Sequence, residues 1–290
     1  MIHVVDRSAQ RAKAERLLAL HAGPEVLVVG SAWDPASAIV FEREGFAAIA
    51  TSSAGIAFSL GYPDGQRIPR DEMLSAVARI AHASRLPVSA DIESGYGVTP
   101  HEVSETCRGV LAAGAVGVNL EDTTDDPEAP LVATELQAEK IRAIRALAIR
   151  FGVPLVINAR TDLLWLKLGD EATRLDDTIQ RLNLYRDAGA DCLFAPGAVE
   201  HATIAELARR VRGPLNVLAT AGTPPVAELA ALGVRRVSQG SGPARVALAV
   251  TRRVARELHT RGTYAAYTTD TISYGDANAL FEGRAEDPRR

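Results

Sequence analysis

The 290-residue chain is 47% hydrophobic and 23% charged, a composition typical of a globular protein with a sizeable core. Its formal net charge of -4 at pH 7 provides no basic surface, which argues against nucleic-acid and anionic-membrane partners. No apolar run is long enough to span a bilayer, the first residues lack a secretory-signal pattern, and two cysteines cannot form a disulfide framework. We therefore expect a cytoplasmic protein that forms one domain over residues 1–290.

The chain alternates predicted strands and helices from its beginning. A helix is predicted over residues 7–21, within an N-terminal segment of about 1–24, and the β-branched run 25–30 predicts a buried strand. Asp34 followed by Pro35 predicts the start of the next helix, because both residue types favour that position. Further strands are predicted over 46–50, 86–90, 116–120, 154–158, 191–194, 214–218 and 234–237. The helices between and after them are predicted from about residues 70 and 99, and over 135–150, 175–187, 204–210, 226–231 and 243–259, with a polar turn preceding residue 70.

Eight strand–helix units predict an α/β fold, a (β/α)₈ barrel of the TIM type, with an open doubly wound sheet as the alternative. The tail of about 260–290 is predicted to be partly helical, and it carries Tyr264, Tyr267 and Phe281. Such apolar side chains have no obvious packing surface beyond a closed barrel. We therefore expect a partner subunit, and thus a homo-oligomer.

Polar side chains stand where the predicted strands end, which is where barrel enzymes place their active sites. The residues at these strand ends are Trp33, Asp34, Ser52, Ser53, Asp91, Glu93, Glu121, Asp122, Asn158, Arg160, Pro196, Asn216 and Ser238, most of them polar. Asp91 and Glu93 are two residues apart in an extended segment and so point the same way. With Glu121 they give three carboxylates, which suit a hard divalent cation: Mg²⁺, or Mn²⁺ as the alternative.

Arg160 is the only cation among these strand-end residues, and a guanidinium binds carboxylate or phosphonate groups in a bidentate manner. Ser52, Ser53 and Asn216 can hydrogen-bond further oxygens, so a small, multiply anionic ligand is expected. The alternatives are that one glutamate forms a structural ion pair with Arg160, that the serines are only turn residues, and that Asn216 only satisfies backbone groups.

Other catalytic devices find less support in the sequence. Cys107 and Cys192 lie in apolar surroundings and are interpreted as inert core residues. The six histidines lie on or near predicted helices, away from the strand ends. Lys13, Lys140 and Lys167 are the only lysines and none lies in a predicted strand, which argues against a Schiff-base aldolase.

Four ordered motifs resemble those of the isocitrate lyase/phosphoenolpyruvate mutase superfamily, over about residues 29–259. They are Ser59-Leu-Gly-Tyr-Pro-Asp64-Gly, Asp91-Ile-Glu93-Ser-Gly-Tyr-Gly, Asn119-Leu-Glu121-Asp122 and Asn158-Ala-Arg160-Thr-Asp. The resemblance implies a (β/α)₈ barrel, usually with a helix swapped between subunits of a dimer or tetramer. It also implies Mg²⁺ and chemistry on 2-oxo or 2-hydroxy acids, at a C–C or C–P bond, through an enolate-like intermediate.

The resemblance also implies roles for the strand-end residues. Asp91 would hold the metal, while Glu93 and Glu121 would hold its water ligands. The substrate carboxylate would bind the hydroxyl and backbone N–H groups of Ser52, Ser53 and Ala54. Independently of the resemblance, Asn158 and Asn216 are predicted from their strand-end positions as further substrate-binding residues. Arg160 would bind an oxygen of the reacting part, and Asp64 would lie over the reacting centre as a base or water-orienting group.

The segment 122–131 departs from the family pattern. It lacks the Lys-Arg/Lys-Cys-Gly-His segment whose cysteine is the lyases' general acid/base, and it lacks the Lys and Asn of the C–P enzymes. Glu93 also stands where the family usually has Asp. We therefore expect a Mg²⁺-dependent lyase-type enzyme that cleaves a C–C bond of a small 2-oxo or 2-hydroxy dicarboxylate through a metal-bound enolate. The alternatives are hydrolysis of such a C–C bond, C–P chemistry, and non-catalytic binding of a 2-oxo acid.

Overall fold

Nine parallel strand segments close into a barrel in the computed structural model, which describes residues 6–282. They are β1 (Leu27–Val28), β2 (Gly30–Ala32), β3 (Ile49–Thr51), β4 (Val88–Asp91), β5 (Gly117–Leu120), β6 (Val156–Arg160), β7 (Cys192–Phe194), β8 (Leu215–Leu218) and β9 (Arg236–Ser238). The segments β1 and β2 belong to one extended stretch broken at Val29. Since β1 pairs with β9 and β2 pairs with β3, this stretch joins both edges of the sheet. The predicted closed barrel is confirmed, and the open sheet is wrong.

Helices follow the strands and cover the outside of the barrel. They are α1 (Arg7–Ala22), α2 (Pro35–Arg43), α3 (Ser53–Ser59), α4 (Arg70–Ala83), α5 (Pro100–Ala112), α6 (Thr134–Phe151), α7 (Arg174–Asp187), α8 (His201–Arg210), α9 (Val226–Ala231), α10 (Gly242–Arg261), α11 (Ala265–Thr268) and α12 (Tyr274–Ala279). The short helix α3 lies where a polar turn was predicted. Its N-cap is Ser52, whose hydroxyl oxygen accepts a hydrogen bond from the Gly55 N–H at 3.1 Å.

Side-chain caps explain where several helices begin. Asp34 and Ser37 form a capping box at the start of α2, and Thr99 and Glu102 form another at the start of α5. Each box satisfies backbone N–H groups that have no partner inside the helix. Both strand–helix connections are thereby fixed next to the carboxyl ends of the strands.

The helix α1 packs at the amino ends of the strands. The Gln10 side chain donates hydrogen bonds to the carbonyl oxygens of Leu111 and Ala115, just before β5. Leu17 and His21 are buried on the same helix. This end of the barrel is therefore covered, whereas the carboxyl ends of the strands are left open for a ligand.

The C-terminal segment differs from the rest of the fold because its apolar side chains are exposed. Ala244 is the one buried residue of the 20-residue helix α10. Tyr264, Tyr267 and Phe281 are 58%, 46% and 43% exposed, as expected for a tail with no surface of its own barrel to pack on. The predicted terminal segments 1–24 and 260–290 include residues 1–5 and 283–290, which lie outside the described residues. No helix within residues 6–282 is long and apolar enough to cross a membrane.

Candidate active site

A cavity of about 800 Å³ lies at the carboxyl ends of the strands. All the predicted substrate-binding residues and the predicted base line it, namely Ser52, Ser53, Ala54, Asp64, Asp91, Asn158, Arg160 and Asn216. Glu93 and Glu121 are not among its lining residues. The structure therefore brings most of the predicted site residues together around one cavity, but Glu93 and Glu121, two of the three predicted metal-site carboxylates, are not on its wall.

Asp91, at the end of β4, is held in a fixed orientation. Its Oδ2 accepts hydrogen bonds from the Ser53 backbone N–H (3.1 Å) and hydroxyl (2.8 Å). Its Oδ1 accepts one from the Asn119 amide at 2.9 Å, and its own N–H donates to the Thr51 hydroxyl oxygen at 2.8 Å. Three neighbouring elements thus position one carboxylate at the cavity wall.

Asn119 extends this network around the barrel. It lies in register between Asp91 and Asn158 on adjacent strands, and the Asn158 amide donates to its Oδ1 at 2.8 Å. Asn119 belongs to one of the four sequence motifs but was assigned no role from the sequence. A signal was present in the chain, because the neighbouring strands β4, β5 and β6 each place a polar residue (Asp91, Asn119 and Asn158) at the same register.

Glu93 does not line the cavity, and its backbone has a left-handed conformation (φ +50°). Its carboxylate accepts hydrogen bonds from the Gln66 N–H at 2.5 Å and from the Tyr96 hydroxyl at 3.4 Å. Burial, together with the negative charge of Asp91, raises the pKa of Glu93 to about 7. Glu93 therefore ties the 60–66 segment to the strand end, and any contact with a metal-bound water stays a prediction.

Glu121 forms the ion pair with Arg160 that was left open as an alternative. Arg160 Nη1 lies 2.8 Å from Glu121 Oε2, and the Nε and Nη2 atoms donate to Asp162 at 2.7 and 2.9 Å. Burial raises the pKa of Glu121, while the Arg160 charge opposes that rise. The guanidinium is thus clamped by two carboxylates while it lines the cavity.

The predicted strand-end residue Asp122 has a supporting position. It is fully buried, accepts the Asp162 N–H at 3.0 Å, and binds the Tyr185 hydroxyl at 2.8 Å and the Arg181 Nε at 3.1 Å. Asp162 and Asp122 were not assigned roles from the sequence. Together they fix the backbone that carries Arg160.

Asp64 lies at the rim of the cavity, where its residue surface is exposed while protein atoms partly surround its carboxyl group. This burial raises the pKa of Asp64; the Gly65 N–H lowers it, the Asp91 charge raises it and the Arg160 charge lowers it. The net direction is upward. A carboxyl group of this kind can exchange a proton with a ligand in the cavity.

The segment 122–131 is folded as a small hairpin. Thr123 and Leu131 form an antiparallel bridge, and the Thr124 N–H donates to the Pro130 carbonyl at 3.0 Å. None of residues 122–131 lines the cavity. Cys107 and Cys192 are fully buried, and burial raises the pKa of both thiols, so neither replaces the missing lyase cysteine.

The residues fit a hydrated Mg²⁺ ion better than a cation enclosed by protein ligands. Within residues 6–282, no three His, Cys, Asp or Glu side chains are grouped closely enough to hold a metal by themselves. Asp91 is the carboxylate on the cavity wall next to Arg160. Mg²⁺ commonly binds through one or two carboxylates and takes its other ligands from waters and substrate. Asp91 would hold such an ion.

Comparison with known proteins places these motifs in a family. A sequence model of the phosphoenolpyruvate phosphomutase family matches residues 17–259. An uncharacterised protein of Mycobacterium tuberculosis is 37% identical over 239 residues, covering 82% of this chain and 87% of that protein. An oxaloacetate decarboxylase of Bradyrhizobium diazoefficiens is 32% identical over 214 residues, covering 71% of each.

Solved structures agree with this placement. The crystal structure of a candidate lyase or mutase of Burkholderia cenocepacia J2315 is 41% identical with a TM-score of 0.89, covering 95% of this chain and 97% of that one. Oxaloacetate acetylhydrolase in complex with oxalate is 26% identical with a TM-score of 0.83, covering 94% and 95%. Phosphonopyruvate hydrolase in complex with oxalate and Mg²⁺ is 26% identical with a TM-score of 0.81, covering 92% and 94%. The chain therefore belongs to the phosphoenolpyruvate phosphomutase family, within the isocitrate lyase/phosphoenolpyruvate mutase superfamily.

Proposed function

We propose that the protein is a Mg²⁺-dependent lyase-type enzyme that cleaves a C–C bond of a small 2-oxo or 2-hydroxy dicarboxylic acid of the oxaloacetate type. The observation that carries the proposal is the cavity wall itself. It combines one oriented carboxylate (Asp91), one clamped guanidinium (Arg160) and one carboxyl group with a raised pKa (Asp64). These groups suit a ligand with several oxygens and two negative charges.

The first turn of α3 offers donors for one substrate carboxylate. The Ser53 N–H and hydroxyl are engaged by Asp91, but the Ala54 N–H is a first-turn group with no acceptor inside the helix. The Ser52 oxygen accepts from Gly55, so its hydroxyl hydrogen is available to the ligand. Ser52 and Ala54 are thus the stronger substrate-binding candidates, with Ser53 acting through Asp91.

Arg160 is expected to bind the second carboxylate. Three of its five N–H groups are engaged by Glu121 and Asp162, which leaves two that can face the cavity. Glu121 and Asp162 already hold the guanidinium in one orientation. Arg160 therefore loses little conformational entropy when it binds and orients the substrate. The carboxylate clamp therefore favours a fixed distance between the two ends of the substrate.

The reaction requires a proton transfer and stabilisation of negative charge. Mg²⁺, when bound, stabilises the charge that develops on the substrate oxygen next to the bond being cleaved. Asp64 acts as the base that takes a hydroxyl proton, or as the group that orients a water, and Arg160 neutralises the carboxylate of the departing fragment. The pKa rise at Asp64 brings it nearer to the pH at which such a group transfers protons efficiently.

Hydrolysis of the same bond is the second candidate, supported by the likeness to oxaloacetate acetylhydrolase. C–P chemistry is less favoured, because the segment 122–131 is acidic and lacks the Lys and Asn that the C–P enzymes of the superfamily carry there. A non-catalytic binder would need only the metal and Arg160. Turnover that depends on Asp64 therefore separates an enzyme from a binder.

The test follows oxaloacetate, 2-oxoglutarate, malate derivatives, 2-methylisocitrate and phosphonopyruvate by proton and phosphorus NMR with Mg²⁺. Turnover of one compound, lost in Asp91→Ala and in Arg160→Ala, is expected. The products distinguish lyase, hydrolase and C–P reactions.

Asp125→Ala and Arg142→Ala are matched controls, because both residues are exposed and neither lines the cavity. Free Mg²⁺ promotes decay of oxaloacetate, so each rate is compared with protein-free buffer. Binding of a 2-oxo acid without turnover, lost in the same two variants, would overturn the enzyme proposal in favour of a binder.

A further inference from the structure

Four buried side-chain atoms without hydrogen-bond partners surround the deep part of the cavity. They are Ser89 Oγ, Asn158 Oδ1, Asn216 Nδ2 and Arg236 Nε. Each belongs to a residue that is at most 2% exposed and that lines the cavity. Buried polar atoms are rarely left unpaired, so four that line one cavity point to polar partners inside it, either ordered water or a ligand.

The strand registers place these residues together. In a tilted barrel, alternate strands contribute inward side chains to one layer, and Ser89, Asn158 and Asn216 come from β4, β6 and β8. Arg236 begins β9, in register with Asn216, and lies one layer closer to α1. Bulky aliphatic residues normally fill these layers, so polar side chains here have a purpose other than packing.

Arg236 forms no ion pair among the described residues, and the charge of Asp91 acts on it only from a distance. Its recorded side-chain hydrogen bond is a long one, from Nη1 to His21 Nε2 at 3.5 Å. A guanidinium can only donate, so Nε2 accepts this bond, and Nδ1, 2.8 Å from the Leu17 carbonyl oxygen, is the nitrogen that carries the hydrogen; His21 in this arrangement is neutral. A buried cation facing a neutral imidazole is costly unless an anion joins it.

We propose that this part of the barrel interior is an anion site centred on Arg236, which takes one carboxylate-sized anion. Arg236 Nε, the Asn216 amide and the Ser89 hydroxyl supply three donors around it. Asn158 Oδ1 is an acceptor, since its amide nitrogen binds Asn119, and it suits a water or hydroxyl beside the anion. The anion is either a free small carboxylate or, resting on the proposed function, the second carboxylate of the substrate, which would then bind at Arg236 instead of at Arg160. The inference goes beyond the proposed function and does not depend on turnover.

The test measures thermal unfolding in a gluconate buffer of constant ionic strength, with formate as the free anion. The wild-type Tm is expected to rise with formate and to saturate, by about 5–10 °C at a hundredfold excess over Kd. Succinate with Mg²⁺ is the second arm, in which the carboxylate arrives as part of a longer acid. Arg142→Met, a change at an exposed arginine, is the control and should respond as wild type.

Two variants change the site in opposite ways. Arg236→Met removes the cation, so its Tm in gluconate should equal or exceed that of wild type and its response to the anion should vanish. Asn216→Asp places a carboxylate beside Arg236, so its Tm in gluconate should rise and its response should also vanish. The second variant keeps the test valid if the first does not fold.

The outcomes decide both the site and the source of the anion. If formate raises the Tm of wild type but of neither variant, the site binds a free anion. If only succinate with Mg²⁺ raises the Tm of wild type, and again of neither variant, the site binds the second carboxylate of the substrate. Absence of any response in wild type would overturn the proposal. So would an unchanged response in Arg236→Met together with a lower Tm in every buffer, because Arg236 would then be only structural.

Discussion

The two carboxyl groups that line the cavity, Asp91 and Asp64, differ in their freedom. Asp91 accepts hydrogen bonds on both oxygens and is fixed at the wall, whereas Asp64 lies at the exposed rim with a raised pKa. A fixed carboxylate suits a metal ligand, and a movable one suits proton transfer. This contrast separates binding from chemistry at the level of single residues.

Asp64→Asn should therefore reduce turnover and leave binding intact. Loss of a general base typically costs 10²–10⁴-fold in rate, so kcat should fall by about that factor for the compound identified by NMR. The Kd for oxalate with Mg²⁺, measured by calorimetry, should change less than about threefold. Asp71→Asn is the control, because Asp71 is exposed at the start of α4. Full turnover in Asp64→Asn would exclude Asp64 as the base.

The buried side chain of His21 is expected to make the free energy of unfolding fall in acid. Burial, with the Arg236 charge, lowers the pKa of His21 from 6.5 to about 4. Between pH 6.5 and pH 4, His21 is therefore protonated in the unfolded chain but neutral in the folded chain. The contribution of neutral, buried His21 to the free energy of unfolding is fully present above pH 6.5 and is lost as the pH falls toward 4. The loss amounts to about 3 kcal/mol by pH 4.

The measurement is urea unfolding of wild type and His21→Gln at pH 7 and pH 4. The variant should lose about 3 kcal/mol less than wild type between these two pH values. His201→Gln, at an exposed histidine of α8, is the control and should follow wild type. An equal pH dependence in His21→Gln would show that His21 is already protonated in the fold.

Which residues line the cavity could be predicted, but not where every side chain points. Position at a strand end was sufficient for Asp91, Arg160 and the serines. The left-handed backbone at Glu93 depends on the turn that follows it, which no local pattern specifies. Similarly, Arg235 and Arg236 both fall within one predicted strand. Because side chains alternate along a strand, one of the two arginines must point into the barrel, but the pattern does not determine which one.

At the scale of elements, capping residues determined how well the helices could be predicted. The starts of α2 and α5 agree with the prediction because Asp34-Pro35 and Thr99-Pro100 are local signals. The helix α3 was missed because it is only seven residues long and begins at a pair of serines, Ser52 and Ser53, a residue type that is equally common in turns. Besides the local Ser52 cap, its start is held by the hydrogen bond from Ser53 to Asp91, which the sequence does not display.

The cap of α2 can be tested directly. The Asp34 carboxylate accepts the Ser37 N–H at 2.7 Å, and losing such a cap costs about 1 kcal/mol. Asp34→Ala should therefore lower Tm by about 2–4 °C in a chain of this size, measured by calorimetry. Asp71→Ala removes an exposed first-turn acid that forms only a 3.6 Å surface pair, so its Tm should change by less than about 1 °C. Equal changes in both variants would contradict the capping argument.

At the scale of the whole molecule, the barrel followed from alternation alone. Eight buried strands separated by helices admit few other topologies, and the shared stretch of β1 and β2 supplies the closure that periodicity cannot reveal. For the C-terminal tail, the composition could be read from the sequence but the packing could not. Its apolar residues were visible in the sequence, but their exposure became evident only once α10 was seen to leave the barrel surface.

This exposed segment predicts a homo-oligomer, a dimer or tetramer in which α10–α12 cover a neighbouring subunit. Its exposed apolar side chains are Val246, Leu248, Val250, Leu258, Tyr264, Tyr267, Ile272, Tyr274 and Phe281. Monomeric proteins rarely expose so large an apolar surface. Light scattering coupled to size exclusion should therefore give at least twice the 30.8 kDa mass of one chain.

The double variant Leu248→Asp/Leu258→Asp should shift this mass toward the monomer. Loss of an interface anchor costs more than about 1 kcal/mol, so the pair should raise the dissociation constant by about thirtyfold or more. Ile149→Asp is the matched control: Ile149 is 74% exposed, but it lies at the end of α6, away from the tail. Its mass should stay that of wild type. Wild type at 30.8 kDa over the whole concentration range would exclude the swapped-helix assembly, and it would leave α10–α12 exposed in the functional protein.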